Sequence, residues 1–404
     1  MHIAVIGAGA SGILAALHAA WTGASVTLFE GNASVGRKLL VTGSGRCNIT
    51  NANAAPAAYT CADPAWLDTL FARFGVADLL EVLHKVGIPV RPTFDGWYYP
   101  LSESAHTVVN AFHTALTLAN VELLLGTPVK SFTAGKHGFR VNYTHEDKPL
   151  SRTFDRLILS AGGKAYPNLG SRGDLFSQLT ALGHIVLPMH PALSPVLADL
   201  GELRSLQGMR FDAAATLRDG DRVLAQTAGN LIVTQNGFNG PAVMDLSHRV
   251  PINPPRSYTL SLDLLHFFRA EFDAQLRLQQ STSLPLGIFL GGYFAPQGGS
   301  AHLRYLGIPE STLLTDLPQP ALDQIIAALT DTRFSVRGVG SFDQCQVTAG
   351  GVPVTEVSAE SMESLRVPGL YLIGETLDVV GPCGGYNLQY AFSSGAVAGL
   401  SAAV

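Results

Sequence analysis

Three glycines, Gly7, Gly9 and Gly12, stand at Gly-x-Gly-x-x-Gly spacing directly after an apolar run, Ile3 to Ile6. A second apolar run, Val26 to Phe29, ends on an acid, Glu30, 18 residues beyond Gly12. Each of these residues has a task in holding a dinucleotide. Gly7 permits a tight turn, Gly9 lets the backbone approach a pyrophosphate, and Gly12 lets the following helix pack close to the strand. The first turn of that helix, with Ala10 and Ser11, offers phosphate its free N–H groups and the positive end of the helix dipole. Glu30 is placed for ribose hydroxyls. The motif does not choose between NAD and FAD.

The elements around these residues read as strand, helix (Ser11 to about Trp21) and strand. Helical patterns follow over Pro64 to Phe74 and Val76 to Val86, then a β-type aromatic stretch over Val90 to Tyr99. Ser104 to Leu118 reads as an amphipathic helix with Ser102 or Ser104 as its cap. Short strands are expected over Val121 to Leu124 and Val129 to Thr133. A hairpin is expected from Phe139 to His145 and Ser151 to Ser160, around Glu146 to Lys148. The strand Arg156 to Ser160 runs into a second glycine punctuation, Ala161, Gly162 and Gly163, and Gly173 to Leu182 reads as a helix.

From about Pro191 alternating strands dominate to Pro251, with turns at Asp219-Gly220 and Asn236-Gly237. A helical stretch follows to Thr330, including Ser283 to Leu290, Tyr305 to Leu314 and Ala321 to Leu329. Strand-then-glycine grammar returns at Val347 to Val352 and Gly369 to Glu375, and Asn387 to Leu400 is a small-residue helix. The fold expected is α/β: a two-dinucleotide-binding-type Rossmann domain (1–190 with 346–404), interrupted by a β-rich domain (191–260 with 331–345) and a small helical subdomain (261–330).

Of the 404 residues 47% are hydrophobic and only 14% charged, which suits a chain wrapped around a large apolar cofactor. Net charge is −5 and no basic stripe is visible, so nucleic acid is not an expected partner. Cys47, Cys61, Cys345 and Cys383 lack Cys-x-x-Cys spacing, so neither a zinc site nor a disulfide framework is indicated. No secretory leader is seen, and the apolar stretch Leu284 to Ala295 is too short for a bilayer. A cytoplasmic protein with no metal and no membrane association is the default; the oligomeric state is not readable.

Gly369 to Glu375 resembles the late flavin motif of FAD-dependent two-dinucleotide-fold enzymes, in which an apolar strand ends on Gly and an acid. Arg37-Lys-Leu-Leu-Val-Thr-Gly-Ser-Gly-Arg-Cys-Asn-Ile-Thr-Asn51 is similar to a signature of a bacterial and archaeal family of NAD(P)/FAD-dependent oxidoreductases. That family includes bile-acid-pathway flavin reductases and aminoacetone oxidases. Gly374-Glu-Thr-Leu-Asp-Val-Val-Gly-Pro-Cys-Gly-Gly-Tyr-Asn-Leu-Gln-Tyr-Ala-Phe-Ser-Ser-Gly395 matches its other signature, and Gly350-Gly-Val352 with Glu356, Met362, Glu363 and Ser364 matches too. The resemblance runs from Met1 to about Gly399 and is weakest between 255 and 335. One departure stands out: Thr234-Gln235 occupies a place where a Thr-His pair is expected, ahead of Gly237 and Gly240-Pro241.

The resemblance implies non-covalent FAD. It puts Glu30 on the adenosine ribose, and Gly7, Gly9, Ala10, Ser11 and Gly12 on the pyrophosphate. Val129, Ala161 and Gly162 line the adenine side through the backbone, and Gly374 and Glu375 lie near the ribityl chain. Arg37 and Lys38 are either phosphate- or ribose-binding cations or a solvated turn. Asp378 is either a ribityl contact or a cap. The loops Gly43 to Asn48 and Pro382 to Asn387 are expected at the isoalloxazine, through Gly45, Arg46, Cys47, Asn48, Cys383, Gly385, Tyr386, Asn387 and Leu388. Backbone donors there, or the dipole of the last helix, would favour the anionic reduced ring. Cys47 and Cys383 are read as buried structural thiols sooner than a redox pair, and Tyr98, Tyr386 and Tyr390 as core sooner than pocket. His84, His106 and His113 read as surface or capping residues, and neither metalloprotease nor serine-esterase motifs occur.

There is no second intact Gly-x-Gly-x-x-Gly, so a nicotinamide would dock only transiently. The function expected is hydride transfer through flavin N5 to or from a small organic substrate. An NAD(P)H-linked reductase of an enone-like molecule comes first. An oxygen-using oxidase of a small amine or aminoketone is the alternative, and a non-catalytic flavin redox sensor the third.

Overall fold

A computed structural model describes residues 1–404, apart from the side chain of residue 296. The chain divides into two compact units: Met1–Pro191 with Phe342–Val404, and Ala192–Ser341.

The first unit is built on five parallel strands: β1 (His2–Ile6), β2 (Ser25–Phe29), β3 (Glu122–Leu124), β4 (Arg156–Leu159) and β5 (Leu370–Leu372), in the order β5-β4-β1-β2-β3. Near-continuous apolar sequence marks strands covered on both faces; in β1, β2 and β4 every residue after the first is buried. The register places Ile6 opposite both Phe29 and Leu159. The chain therefore leaves three strands at one edge, as Gly7, Glu30 and Ser160. Ile373 joins that edge by donating to the Leu159 carbonyl at 3.2 Å. In open parallel sheets ligands bind outside the carboxyl ends of the strands.

Helix α1 (Ala10–Trp21) packs between this sheet and the last helix. Helix α2 (Ala105–Leu118) buries Val108, Val109, Phe112 and Leu116 at helical spacing. Its cap residue is Ser104, though the serine side chain makes no capping hydrogen bond. The last helix, α3 (Tyr386–Ala402), is buried along most of its length. It meets α1 backbone to backbone: a Cβ on Gly395 would lie 2.2 Å from the Ser11 carbonyl oxygen, and one on Gly399 2.3 Å from that of Ala15.

A three-stranded antiparallel sheet, Val129–Gly135, Gly138–His145 and Lys148–Phe154, lies beside this core. Here the structure corrects the expected hairpin. Its second strand ends at Phe154, whose ring meets Phe29 at 5.8 Å, and Arg156 begins β4 in the parallel sheet.

The second unit is a closed six-stranded barrel with α-helices over Pro241–Met244, Arg269–Gln279, Leu286–Gly291, Pro296–Tyr305 and Gln319–Thr330. Barrel and helices share one apolar core, from Val196 through Phe272 and Leu290 to Val336. The helix expected over Tyr305 to Leu314 is a correction: Tyr305 ends a helix there. Gly307 takes φ +68°, Ile308 donates back to the Leu303 carbonyl, and Pro309 follows, a glycine-terminated helix end.

Candidate functional site

The glycines of the first turn separate into two kinds. Gly7 takes φ +99°, and a Cβ there would fall 2.3 Å from the Ser160 carbonyl oxygen; one on Gly12 would fall 1.9 Å from that of Gly7. The polypeptide itself demands glycine at both places. Gly9 differs. Its φ of −76° suits any residue, and a Cβ there would meet nothing within 4 Å. It caps α1 at the carboxyl edge of the sheet, where the first helical N–H groups have no intrahelical acceptor. A glycine that the chain does not need, beside open space and free donors, fits a phosphate group approaching the backbone.

Glu30 is held across that turn. Its Oε2 accepts the Ala8 N–H at 2.9 Å, and its Oε1 accepts the Asn32 N–H at 2.8 Å and the Asn32 side-chain amide at 2.6 Å. A carboxylate has about four lone-pair sites, so Oε2 keeps capacity for a further donor. Arg37 donates to Asn32 Oδ1 at 2.7 Å, and Lys38 lies 2.6 Å from Glu375. Both cations are thus tied into the fold by side-chain bonds. Val129 opens the strand beyond Thr127, whose N–H donates to the Glu30 carbonyl at 2.8 Å.

Glu375 reaches further. Its Oε1 accepts the Thr348 N–H at 2.8 Å, and Thr348 Oγ1 in turn accepts the N–H groups of Lys164 and Ala165. A Cβ on Gly163 would clash with Thr348, one on Gly374 with Ser11, and one on Gly162 (φ +75°) would press on Ser171. Ala161 is half-buried beside them. Ser11 and Ser160 share a hydroxyl–hydroxyl bond of 2.7 Å. Asp378 accepts the Gly350 N–H at 2.7 Å, so it holds a glycine turn. The roles of Thr348, Ser160 and Asn32 carry no sequence signature; only the fold brings them here.

The two remaining glycine loops meet each other. Asn51 donates to the Gly384 carbonyl at 2.9 Å. A Cβ on Gly385 would fall 2.4 Å from the Thr50 carbonyl oxygen and 2.8 Å from Asn48 Oδ1. Asn387 folds back on its own loop, accepting the Gly381 N–H and donating to the Gly381 carbonyl, each at 2.8 Å. Its side chain therefore shapes the turn. Tyr59 donates to the Tyr386 carbonyl at 2.8 Å, Leu388 is half-buried, and Tyr390 lies in the core. Gly45 takes φ +86°, and Arg46 extends outward with its guanidinium 4.6 Å from the Tyr99 ring centroid. Cys47 is fully buried, and burial pushes its thiol up to about 11 despite a hydrogen bond from Thr42. All four cysteines are free thiols.

The family model described as HI0933-like protein Rossmann domain matches residues 1–401. The chain is 32% identical over 412 residues to a 3-dehydro-bile acid delta(4,6)-reductase of Clostridium scindens, covering 100% of this chain and 99% of that one. It is 31% identical to a ribosomal RNA dihydrouridine synthase of Escherichia coli, covering 96% and 95%. Among solved structures, the 3-ketosteroid delta1-dehydrogenase of Sterolibacterium denitrificans superposes with a TM-score of 0.51 at 14% identity, covering 99% of each chain. The ribosomal RNA name removes the ground for excluding nucleic acid, because a relative so named spans nearly the whole chain. No helix among the described residues is long and apolar enough to cross a membrane.

Proposed function

This chain belongs to the HI0933-like Rossmann family of FAD-dependent oxidoreductases, and on that premise we propose that it reduces a carbon–carbon double bond conjugated to a carbonyl, with NAD(P)H as electron donor. The support for this bond class is chemical. A 3-dehydro bile acid unsaturated at positions 4 and 6 is a conjugated enone. Dihydrouridine is uridine whose ring double bond, conjugated to a carbonyl, has been saturated. Two relatives with dissimilar substrates are thus named for saturation of the same kind of bond. Both a steroid-like enone and uridine within RNA are therefore candidate substrates.

The observation that carries the cofactor is the open space at Gly9, which the chain's own packing does not explain. In this reading the N–H groups of Gly9, Ala10, Ser11 and Gly12 hold the pyrophosphate and Glu30 the adenosine ribose. Gly7 shapes the turn between them, while Val129, Ala161 and Gly162 present backbone to the adenine side. The Asn32–Arg37 and Lys38–Glu375 pairs flank the ribose and ribityl parts, with Gly374 beneath. Gly45, Arg46, Cys47 and Asn48 face the ring from one loop, and Cys383, Gly385, Tyr386, Asn387 and Leu388 from the other. FAD, when bound, supplies two-electron exchange between ring N5 and the substrate carbon. The guanidinium of Arg46 is the group offered to the substrate carbonyl, where negative charge develops.

The test is direct. Acid precipitation should release FAD into the supernatant. The holoprotein should oxidise NADPH or NADH when given a Δ4-3-ketosteroid or a uridine-containing RNA. A released flavin that is FMN, or a chain that turns over only with amines and oxygen, sinks this reading.

A further inference from the structure

Asn32 is a loop residue whose side chain is fully employed. Its amide nitrogen donates to Glu30 Oε1 at 2.6 Å and to the Leu169 carbonyl at 3.1 Å, and its Oδ1 accepts from Arg37 at 2.7 Å. A guanidinium only donates and an ionised carboxylate only accepts. Turning the amide over would set its oxygen against Glu30 and its nitrogen against Arg37, so the two neighbours fix its orientation. Gly170, at φ +111°, lets the loop after β4 come this close: a Cβ there would fall 2.7 Å from the Asn32 amide nitrogen.

The same contacts fix Glu30. Its N–H donates to the Leu124 carbonyl at 3.0 Å, and its own carbonyl accepts from Thr127 at 2.8 Å, so its backbone is held on both sides. Each oxygen of a carboxylate has about two acceptor sites. On Oε1 both are taken, by the N–H and the side-chain amide of Asn32. On Oε2 one is taken, by the Ala8 N–H at 2.9 Å. One acceptor site is left, on the oxygen beside the glycine turn, and Glu30 is half-buried there. A ribose offers two adjacent hydroxyls. Gripping both takes an acceptor site on each carboxylate oxygen, and Glu30 has one on a single oxygen.

We infer that Asn32, braced by Arg37, makes Glu30 a reader of one hydroxyl of the adenosine ribose: the site recognises that hydroxyl and is indifferent to its neighbour. This rests on the FAD reading above, which puts Glu30 on the ribose. The count of one, and the part played by Asn32, come from the hydrogen bonds. Asn32 is then a positioning residue, acting on the cofactor through Glu30.

The test is titration of the full-chain apoprotein with FAD and with two FAD analogues, one lacking the 2′ and one the 3′ hydroxyl of the adenosine ribose, read by flavin fluorescence. On wild type one analogue should bind as FAD does, within about twofold, and the other at least about tenfold more weakly, the scale of one hydrogen bond to a charged group. In Asn32→Ala the amide leaves Oε1, which regains an acceptor site, and the ratio between the two analogues should fall below about threefold. That ratio compares two ligands on one protein, so a general loosening of the site, which weakens both, leaves it unchanged. Equal weakening of both analogues on wild type overturns the inference, because Glu30 then grips both hydroxyls. So does weakening of neither, because it then grips none. A ratio that survives in Asn32→Ala overturns the part given to Asn32. A wild-type apoprotein that takes up no FAD would overturn the flavin reading itself.

Discussion

Lys38 Nζ and Glu375 Oε2 lie 2.6 Å apart, although 337 residues separate them in the chain. The pair joins the first glycine-rich signature to the last, both sides half-buried. Glu375 also holds the Thr348 N–H, so its carboxylate ties three segments together at the carboxyl edge of the sheet. Glu375→Ala should cost about 1–3 kcal/mol, chiefly by leaving that N–H unpaired. Glu375→Gln should cost less, because the amide oxygen still accepts. Urea unfolding of the two apoproteins checks this; equal losses would mean that the ion pair, not the backbone bond, matters.

Gly9→Val separates ligand from fold. The structure offers its side chain open space, so the unfolding free energy should stay within about 1 kcal/mol of wild type, the range of a substitution that breaks no contact. The same side chain would occupy the space of the pyrophosphate, and the protein should emerge colourless. A Gly9→Val protein with a full complement of FAD would show that the phosphate lies elsewhere.

Gly395 and Gly399 let α3 touch α1. A methyl at either must push backbone away, and overpacking of this kind costs about 1–3 kcal/mol. Gly399→Ala should therefore lower the thermal midpoint, whereas Gly291→Ala, with nothing within 4 Å of its Cβ position, should not. Matching midpoints for the two variants would contradict the close approach.

His18 links stability to acid. Its ring lies 5.2 Å from that of Trp21 and 5.5 Å from that of Phe74. Burial, aided by the nearby Lys85 charge, pushes it down to about 4 from 6.5. The histidine is thus neutral in the fold, while the unfolded chain binds a proton below pH 6.5. Its contribution is complete above pH 6.5 and is lost as pH falls toward 4, by about 3 kcal/mol at the most. Burial lowers His184 and His302 as well, in the same direction. His18→Leu should reduce the loss of unfolding free energy between pH 7 and pH 4.5 by about 2 kcal/mol. An unchanged pH slope would remove His18 from the account.

Sequence alone made the dinucleotide edge legible because its parts are local: a strand, a glycine turn, a helix and an acid follow one another from Ile3 to Glu30. The long-range partners were not legible. Nothing at Thr348 announces that it accepts two N–H groups from a strand end some 180 residues earlier, and Asn32 looks like an ordinary loop residue until Glu30 and Arg37 meet on it. Gly395 and Gly399 did leave a trace, two glycines four apart in a small-residue helix, where backbone can approach backbone. The hairpin misreading at Phe154 arose because only Asp155 separates two strands that serve two different sheets. The helix misreading at Tyr305 ignored Gly307 and Pro309, which end helices by conformation rather than by polarity.

The central claim, reduction of a conjugated double bond by a bound flavin, is tested most directly without oxygen or nicotinamide. The holoprotein is photoreduced anaerobically and mixed with a Δ4-3-ketosteroid, or with a uridine-containing RNA, while the flavin absorption is followed. The account predicts that the oxidised flavin band returns with one of these acceptors and that one saturated product forms per flavin. A reduced flavin that both acceptors leave untouched, and that only admitted oxygen reoxidises, would contradict it.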